Sequence, residues 1–409
     1  MRAKQARFDL KRGLLMKKLL ILNGAHSDIP LIKAGKALGY YVITAGNRPE
    51  MVGHKYADAH VDVDFSDYEA VTEIARELKV DAVCACCNDF GAITASYVAE
   101  QLGLPGHDPF ETTLTLHHKD RFKAFAKEHN LRTPRAESFD NEQDAINYAL
   151  SLDYPIIVKP IDLTGGKGVN KAFTDEEKEQ AVRIAYATSP HKRIVVERFI
   201  TGTYHSFSTF FVNKKARYCF SNNEFSFGSP YLISTSAGPA TGIDKIGPVL
   251  VEEAEKVAKL LNLVDGKLHM QYVVDEKGEP FIIEMSRRCS GDMFHLPVSK
   301  ALGIDTPKWI VKAECGIDCS DCPADVQQTG FYGYHCIMTP RSGRIKSFQI
   351  APELEEHVYD RFLWFVPGYE ITNHLVDKIG ILFCTYDSRE QMDEMINKMM
   401  CLITFEYED

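Results

Sequence analysis

From Met16 onward, short apolar runs alternate with amphipathic stretches, and this rhythm constrains the fold more than any other feature of the chain. Residues 18–22, 40–44 and 81–85 predict strands. Between them, 29–38 and 68–78 place apolar residues three and four apart, the spacing of one helix face. Strand, helix, strand at this interval predicts a parallel sheet with right-handed crossovers. A dinucleotide-binding fold is the obvious form of such a sheet, but the first turn reads Asn23-Gly24-Ala25-His26-Ser27-Asp28. It lacks the G-x-G-x-x-G that lets backbone approach a pyrophosphate, so a nucleotide is expected elsewhere.

A second unit begins near His117, with helices predicted over 120–129 and 175–187, an amphipathic stretch over 140–150 and strands over 155–159 and 193–197. Residues 205–212 and 216–221 read as antiparallel strands. After a helix over 249–261, the runs 268–274 and 280–285 predict a hairpin around Asp275-Glu276-Lys277-Gly278. From about Gln327, strand-like runs and one helix over 388–399 predict a small α+β lobe. The expected divisions are therefore a tail, 1–15, and domains over 16–115, 116–326 and 327–409.

The tail, MRAKQARFDLKRGLL, is basic and lacks the long apolar stretch and small-residue cleavage site of a secretory signal. It reads as an extra tail or an upstream start; Asp9 weakens a transit-peptide reading. Hydrophobic residues at 45% and charged residues at 25% exclude disordered and fibrous classes. No apolar run reaches the roughly 18 residues of a membrane span, so no membrane partner is expected. With 47 Lys and Arg against 57 Asp and Glu, the net charge of −10 speaks against a general nucleic-acid binder. Eleven cysteines, an odd number in a chain able to build a real core, fit a reducing cytoplasm better than a disulfide scaffold.

Three segments carry chemistry. In the first, Val158-Lys159-Pro160 is followed after a short gap by Gly165, Gly166, Lys167, Gly168 and Val169. Glycines there permit positive φ and turn backbone N–H groups toward an anion. It is not a Walker loop, because Gly168 stands where a hydroxyl must follow the lysine. The second is Val195-Val196-Glu197-Arg198-Phe199-Ile200, closed by Thr201-Gly202; by itself it is a buried strand ending in a turn. The third pairs Leu268-His269-Met270-Gln271 with 281–288, where Glu284, Ser286 and Arg288 alternate onto one face of a strand. Oxygen ligands on one side of a sheet suit Mg²⁺, and arginine suits an anion.

In this order the three segments resemble the ATP-grasp superfamily of carboxylate ligases, which includes biotin carboxylase, D-alanine–D-alanine ligase, carbamoyl-phosphate synthase and L-amino acid ligases. The resemblance runs from about Met16 to Cys315 and in outline to the end. It implies an N-terminal parallel α/β domain, a two-lobed ATP-grasp core and a small C-terminal α+β lobe. It also implies ATP and one or two Mg²⁺ ions, with Mn²⁺ as a substitute. Residue by residue, Lys119 resembles the first phosphate-binding lysine and Lys159 the second. Gly165 to Val169 resemble the loop that closes over the β- and γ-phosphates. Glu197, Arg198, Phe199 and Ile200 resemble the hinge that reads adenine through backbone groups. Glu284 resembles the Mg²⁺-bridging carboxylate, and Arg288 the arginine that steadies an acyl phosphate.

The departures also carry information. Gln271 replaces a frequent Glu among the metal ligands, as in carbamoyl-phosphate synthases, and Ser286 replaces a usual Asn. Tyr204 stands where many members place a ribose-binding Glu, and the adjacent His205 matches a histidine of biotin carboxylases. Residues 294–303 also look like the carbamoyl-phosphate synthase continuation, although that enzyme uses two such modules and this chain has one. The implied reaction phosphorylates a small-molecule carboxylate and joins it to an amine, in an enzyme that resembles dimeric relatives. Three alternatives stay open: carbamate phosphorylation, a purine-pathway ligase using formate or bicarbonate, and ATP binding without turnover. Asn88 and Asp89, at a strand C-terminus, and Asp292 and His295, just past Arg288, are candidate substrate contacts. Cys315-x-x-x-Cys319-x-x-Cys322 has an iron–sulfur-like spacing but Asp321 in place of the usual aromatic, and reads as free thiols.

Overall fold

The computed structural model describes residues 16–161, 163, 166–324 and 326–408. The expected basic tail and Gly165 lie outside them. Strands β1 (Lys18–Leu22), β2 (Tyr41–Ala45), β3 (Ala59–Val61) and β4 (Ala82–Cys84) form a parallel sheet in the order β3-β2-β1-β4. Leu19 to Leu22 are fully buried, as a strand covered on both faces must be. The first turn is sealed by protein: a Cβ on Gly24 would stand 2.1 Å from the His54 ring, and the Gly53 N–H donates to the Gly24 carbonyl. Buried Asp28 accepts from the N–H groups of Ala25 and Cys87, tying the first loop to the fourth; burial raises its pKa to about 6.

Strands β5 (Ala136–Phe139), β6 (Ile156–Pro160), β7 (Asn170–Ala172) and β8 (Ile194–Arg198) make an antiparallel sheet, β5-β8-β6-β7. The helices Glu142–Leu150 and Asp175–Thr188 cover it, packing Ala149 and Val182 onto Ile156 and Val196. The second helix opens with a capping box, Thr174 and Glu177 satisfying each other's N–H groups.

The remaining strands are β9 (Gly202–Val212), β10 (Lys215–Phe225), β11 (Thr235–Gly238), β12 (Gly266–Asp275), β13 (Pro280–Ser286), β14 (Phe331–Ile337), β15 (Gly343–Ile350), β16 (Val358–Leu363), β17 (Tyr369–Ile371), β18 (Gly380–Tyr386) and β19 (Ile403–Tyr407). Eight of them form one sheet, β13-β12-β9-β10-β11-β14-β18-β16, and three form β17-β15-β19. The helix Ile243–Leu260 packs Leu250 and Val257 onto Phe207, Phe211 and Met270 of the large sheet. Across the division expected at 326/327, β11 and β14 pair from Thr235↔His335 to Gly238↔Tyr332. The last lobe extends the sheet of the core and adds a three-stranded flank. Among the described residues no helix is long and apolar enough to cross a membrane.

Candidate active site

A cavity of about 1580 Å³ opens between the β5-β8-β6-β7 sheet and the eight-stranded sheet. It exceeds the roughly 300–1,000 Å³ of ordinary small-ligand pockets, so a nucleotide and a second substrate fit together. Lys119, Lys159, Gly166, Val169, Glu197 to Ile200, Gln271, Glu284 and Arg288 all line it. Residues as distant in sequence as Lys119 and Arg288 thus face one cavity.

On the side of the smaller sheet, Lys119 opens the helix Lys119–Glu128 and its Nζ donates to the Leu163 carbonyl at 2.7 Å. Lys123, one turn on and on the same face, is a cavity residue that the sequence reading missed; the four-residue spacing of two lysines was the available signal. Glu197 is 1% exposed, and its Oε2 accepts from Lys159 Nζ at 3.1 Å, with Lys123 Nζ at 3.3 Å. Burial would raise the Glu197 carboxyl, but Lys123 and Lys159 hold it below the usual carboxylate range. Burial in turn lowers Lys123 to about 8 against the pull of Glu197. The Arg198 and Phe199 N–H groups are engaged by the carbonyls of Arg135 and Pro155. Among the described residues none accepts from the Ile200 N–H, so of these three it is the one open to a ligand.

Of the glycine loop, Gly166 at φ +74° abuts Tyr231, whose Cβ a side chain here would meet at 2.3 Å. Gly168, at φ +71°, packs on Pro160 and Thr188 instead of the cavity, and Lys167 is exposed off the wall. His205 lines the cavity with its ring 2% exposed, bonded to Thr203 Oγ1 at 2.6 Å and stacked on Tyr272. Burial lowers its pKa to about 4. The neighbouring Tyr204, 40% exposed, presents more of itself to the cavity.

On the large sheet, Gln271 and Glu284 face each other across β12 and β13, where a bulge at Gln271/Tyr272 swings Glu284 onto the wall. Gln271 Nε2 donates to Glu224 Oε2 at 2.9 Å, which leaves its Oε1 for another partner. Glu224, on β10, was not legible in the sequence; burial raises it to about 7. Ser286 is buried off the wall, and its Oγ has no partner among the described residues. No three His, Cys, Asp or Glu side chains among the described residues form a metal cage. A Mg²⁺ ion, which takes one or two carboxylates and completes its shell with phosphate oxygens and water, fits Glu284 with Gln271 beside it.

Arg288 is gripped by Asp89: Nε donates to Oδ1 at 3.0 Å and Nη2 to Oδ2 at 3.3 Å. Asp89 also accepts from His117 Nδ1, while the Arg287 N–H donates to His117 Nε2, which fixes the histidine tautomer. Burial opposes the charge on Asp89, but Arg288 and His117 hold its carboxyl well below the usual range. Beneath them Lys267, lowered to about 8 by burial, donates to the Arg288 carbonyl and to Ser290 Oγ. Asn88 caps the helix Asp89–Leu102, accepting from the Phe90 N–H at 2.9 Å, and does not line the cavity. The other two substrate candidates are held by protein partners. Asp292 lines the cavity but is clamped by Lys378 at 2.7 Å, and buried His295 lies off the wall, bonded to Thr306. Cys315, Cys319 and Cys322 are buried, and all eleven cysteines are free.

Residues 118–320 match the model of the carbamoyl-phosphate synthase L chain, ATP binding domain. The carbamoyl phosphate synthase large chain, C-terminal section, of Methanopyrus kandleri is 24% identical over 297 residues, 68% of this chain and 52% of that protein. The chain thus spans about half the length of this curated relative. The L-amino acid ligase from Bacillus licheniformis superposes with a TM-score of 0.80 at 21% identity, over 96% of this chain and 100% of that one. The biotin carboxylase domain of Hydrogenobacter thermophilus 2-oxoglutarate carboxylase, solved with MgADP, ADP and bicarbonate, gives 0.76 at 18% identity, over 96% and 91%. Residues 118–320 thus resemble this ATP-binding domain, and nearly the whole chain shares the fold of these solved structures.

Proposed function

We propose that the chain is an ATP- and Mg²⁺-dependent ligase that phosphorylates a carboxylate and joins the acyl group to an amine. The observation that carries this reading is that Lys119, Lys159, Glu284 and Arg288 line one cavity, the lysines from the side of the smaller sheet and the other two from the large sheet. A carboxylate beside a triphosphate brings anions together, at about 4 kcal/mol per unit-charge pair at 4 Å and an effective dielectric of 20. The two lysines and Arg288 offset that repulsion where the phosphoryl group moves. Bound Mg²⁺ would supply further charge neutralisation at the phosphate oxygens. Ile200 N–H offers a donor to a base edge, and Asp89 orients the guanidinium. The glycine loop and Tyr231, touching at Gly166, would exclude water from an acyl phosphate.

The nucleotide in the thermophile's domain and the reaction named for the Bacillus enzyme accord with this reading. Carbamate or bicarbonate phosphorylation is the second reading, favoured by the Methanopyrus match. We assign the protein to a reducing compartment such as the cytoplasm, since eleven free thiols would not persist elsewhere. We also expect Mn²⁺ to replace Mg²⁺ and two copies to associate.

Incubation with ATP, Mg²⁺, hydroxylamine and a panel of carboxylates tests the proposal. A hydroxamate formed with one acid supports it; ADP release with bicarbonate alone favours the second reading; ATP binding without ADP release refutes both. Glu284→Gln is expected to abolish turnover with an unchanged melting temperature, and wild-type kcat would remove the metal assignment.

A further inference from the structure

We propose that the acid this site activates carries an apolar side chain of aromatic size, seated on Phe90 beside Arg288. The proposal rests on the ligase reading and deepens it. The helix Asp89–Leu102 starts at the cavity: Asp89 grips Arg288, and the next residue, Phe90, is 42% exposed. Ile93, one turn further, lines the same wall. Phe294 stands 6.1 Å from the Tyr334 ring and 6.4 Å from the His269 ring, and Leu232 packs onto the same cluster. All four of these side chains also line the cavity. Ser290, two residues past Arg288, meets His269 Nδ1 through its Oγ at 3.4 Å, which ties this surface to the segment that carries the guanidinium.

Asp89 is already paired with Arg288 and His117, Asp292 with Lys378 and Glu224 with Gln271, and the proposed reading gives Glu284 to the metal. What the site offers a side chain is therefore surface that gains by leaving water. Bicarbonate has no group to cover it. A carboxylate held at Arg288 with a bulky apolar substituent has Phe90, the residue next to Asp89, to cover.

The experiment measures hydroxamate formation and ADP release with 3-phenylpropionate, L-phenylalanine, L-leucine, glycine, L-aspartate and bicarbonate. It compares wild type, Phe90→Ala and Phe90→Leu. The apolar acids are expected to have the highest kcat/KM. In Phe90→Ala the ratio of kcat/KM for the best apolar acid over glycine falls about tenfold, through KM, and Phe90→Leu restores most of it. Turnover confined to glycine, aspartate or bicarbonate, or an unchanged ratio in Phe90→Ala, overturns the inference and leaves the ligase reading standing. ADP release with none of the six, while Mg–ATP still binds, overturns both.

Discussion

Glu197→Gln removes one negative charge from a pocket that holds two positive ones. Glu197 Oε2 lies 3.1 Å from Lys159 Nζ and 3.3 Å from Lys123 Nζ. The two ammonium groups are therefore roughly 6 Å apart at most, a repulsion of about 3 kcal/mol at an effective dielectric of 20. Each lysine also loses an attraction of about 5 kcal/mol on the same scale. Lys123, at 6% exposure, cannot recover this from water; it sheds its proton instead, and its pKa of about 8 makes that step small. Breaking a buried pair from one side costs about 3–5 kcal/mol, and that is the loss expected in urea unfolding followed by tryptophan fluorescence. The double variant Glu197→Gln/Lys123→Met removes the stranded charge and should regain more than half of the loss. A single variant within about 1 kcal/mol of wild type, or a double variant no more stable than the single, would refute this account of the pocket.

Asp89→Asn should lower kcat/KM about a hundredfold without moving the KM for ATP, because Arg288 loses the carboxylate that aims it; steady-state kinetics decide it. Gly168→Ala places a Cβ 2.8 Å from Pro160 and asks a side chain to hold φ +71°, so weaker nucleotide binding is expected by calorimetry, with a loss of about 1–3 kcal/mol in stability. For pH, His205 titrates near 4 and His335 near 3, both lowered by burial, against about 6.5 unfolded. The unfolded chain binds more protons below 6.5, so stability falls as pH drops from 6.5 toward 4. At pH 5 each histidine contributes a loss of about 2 kcal/mol. His205→Gln should flatten the fall in melting temperature, and an unchanged pH slope would contradict the assignment.

The N-terminal sheet was legible because β1, β2 and β4 are short apolar runs between amphipathic helices, and a parallel sheet covered on both faces leaves that mark. The helix Asp89–Leu102 was not, since DFGAITASYVAEQL is buried on several sides and shows no single apolar stripe. The large sheet crosses the expected boundary at 326/327 because strand pairing between β11 and β14 depends on register between segments about 100 residues apart. His295, a candidate contact by its position in the sequence, is buried with its ring bonded to Thr306, an approach between segments that no local pattern shows.

The order Lys119, Lys159, glycine loop, Glu284, Arg288 was written in the chain, since each is a residue type set in a local pattern of helix start, strand or turn. What the sequence could not hold was which of these charges would be neutralised, and by whom. Glu197 between two lysines, Asp89 on Arg288, Glu224 on Gln271 and Lys378 on Asp292 are pairings across distant segments. Local patterns are fixed by neighbours along the backbone, whereas a buried charge is tolerated only where folding brings its partner, and that is decided by the packing of whole sheets.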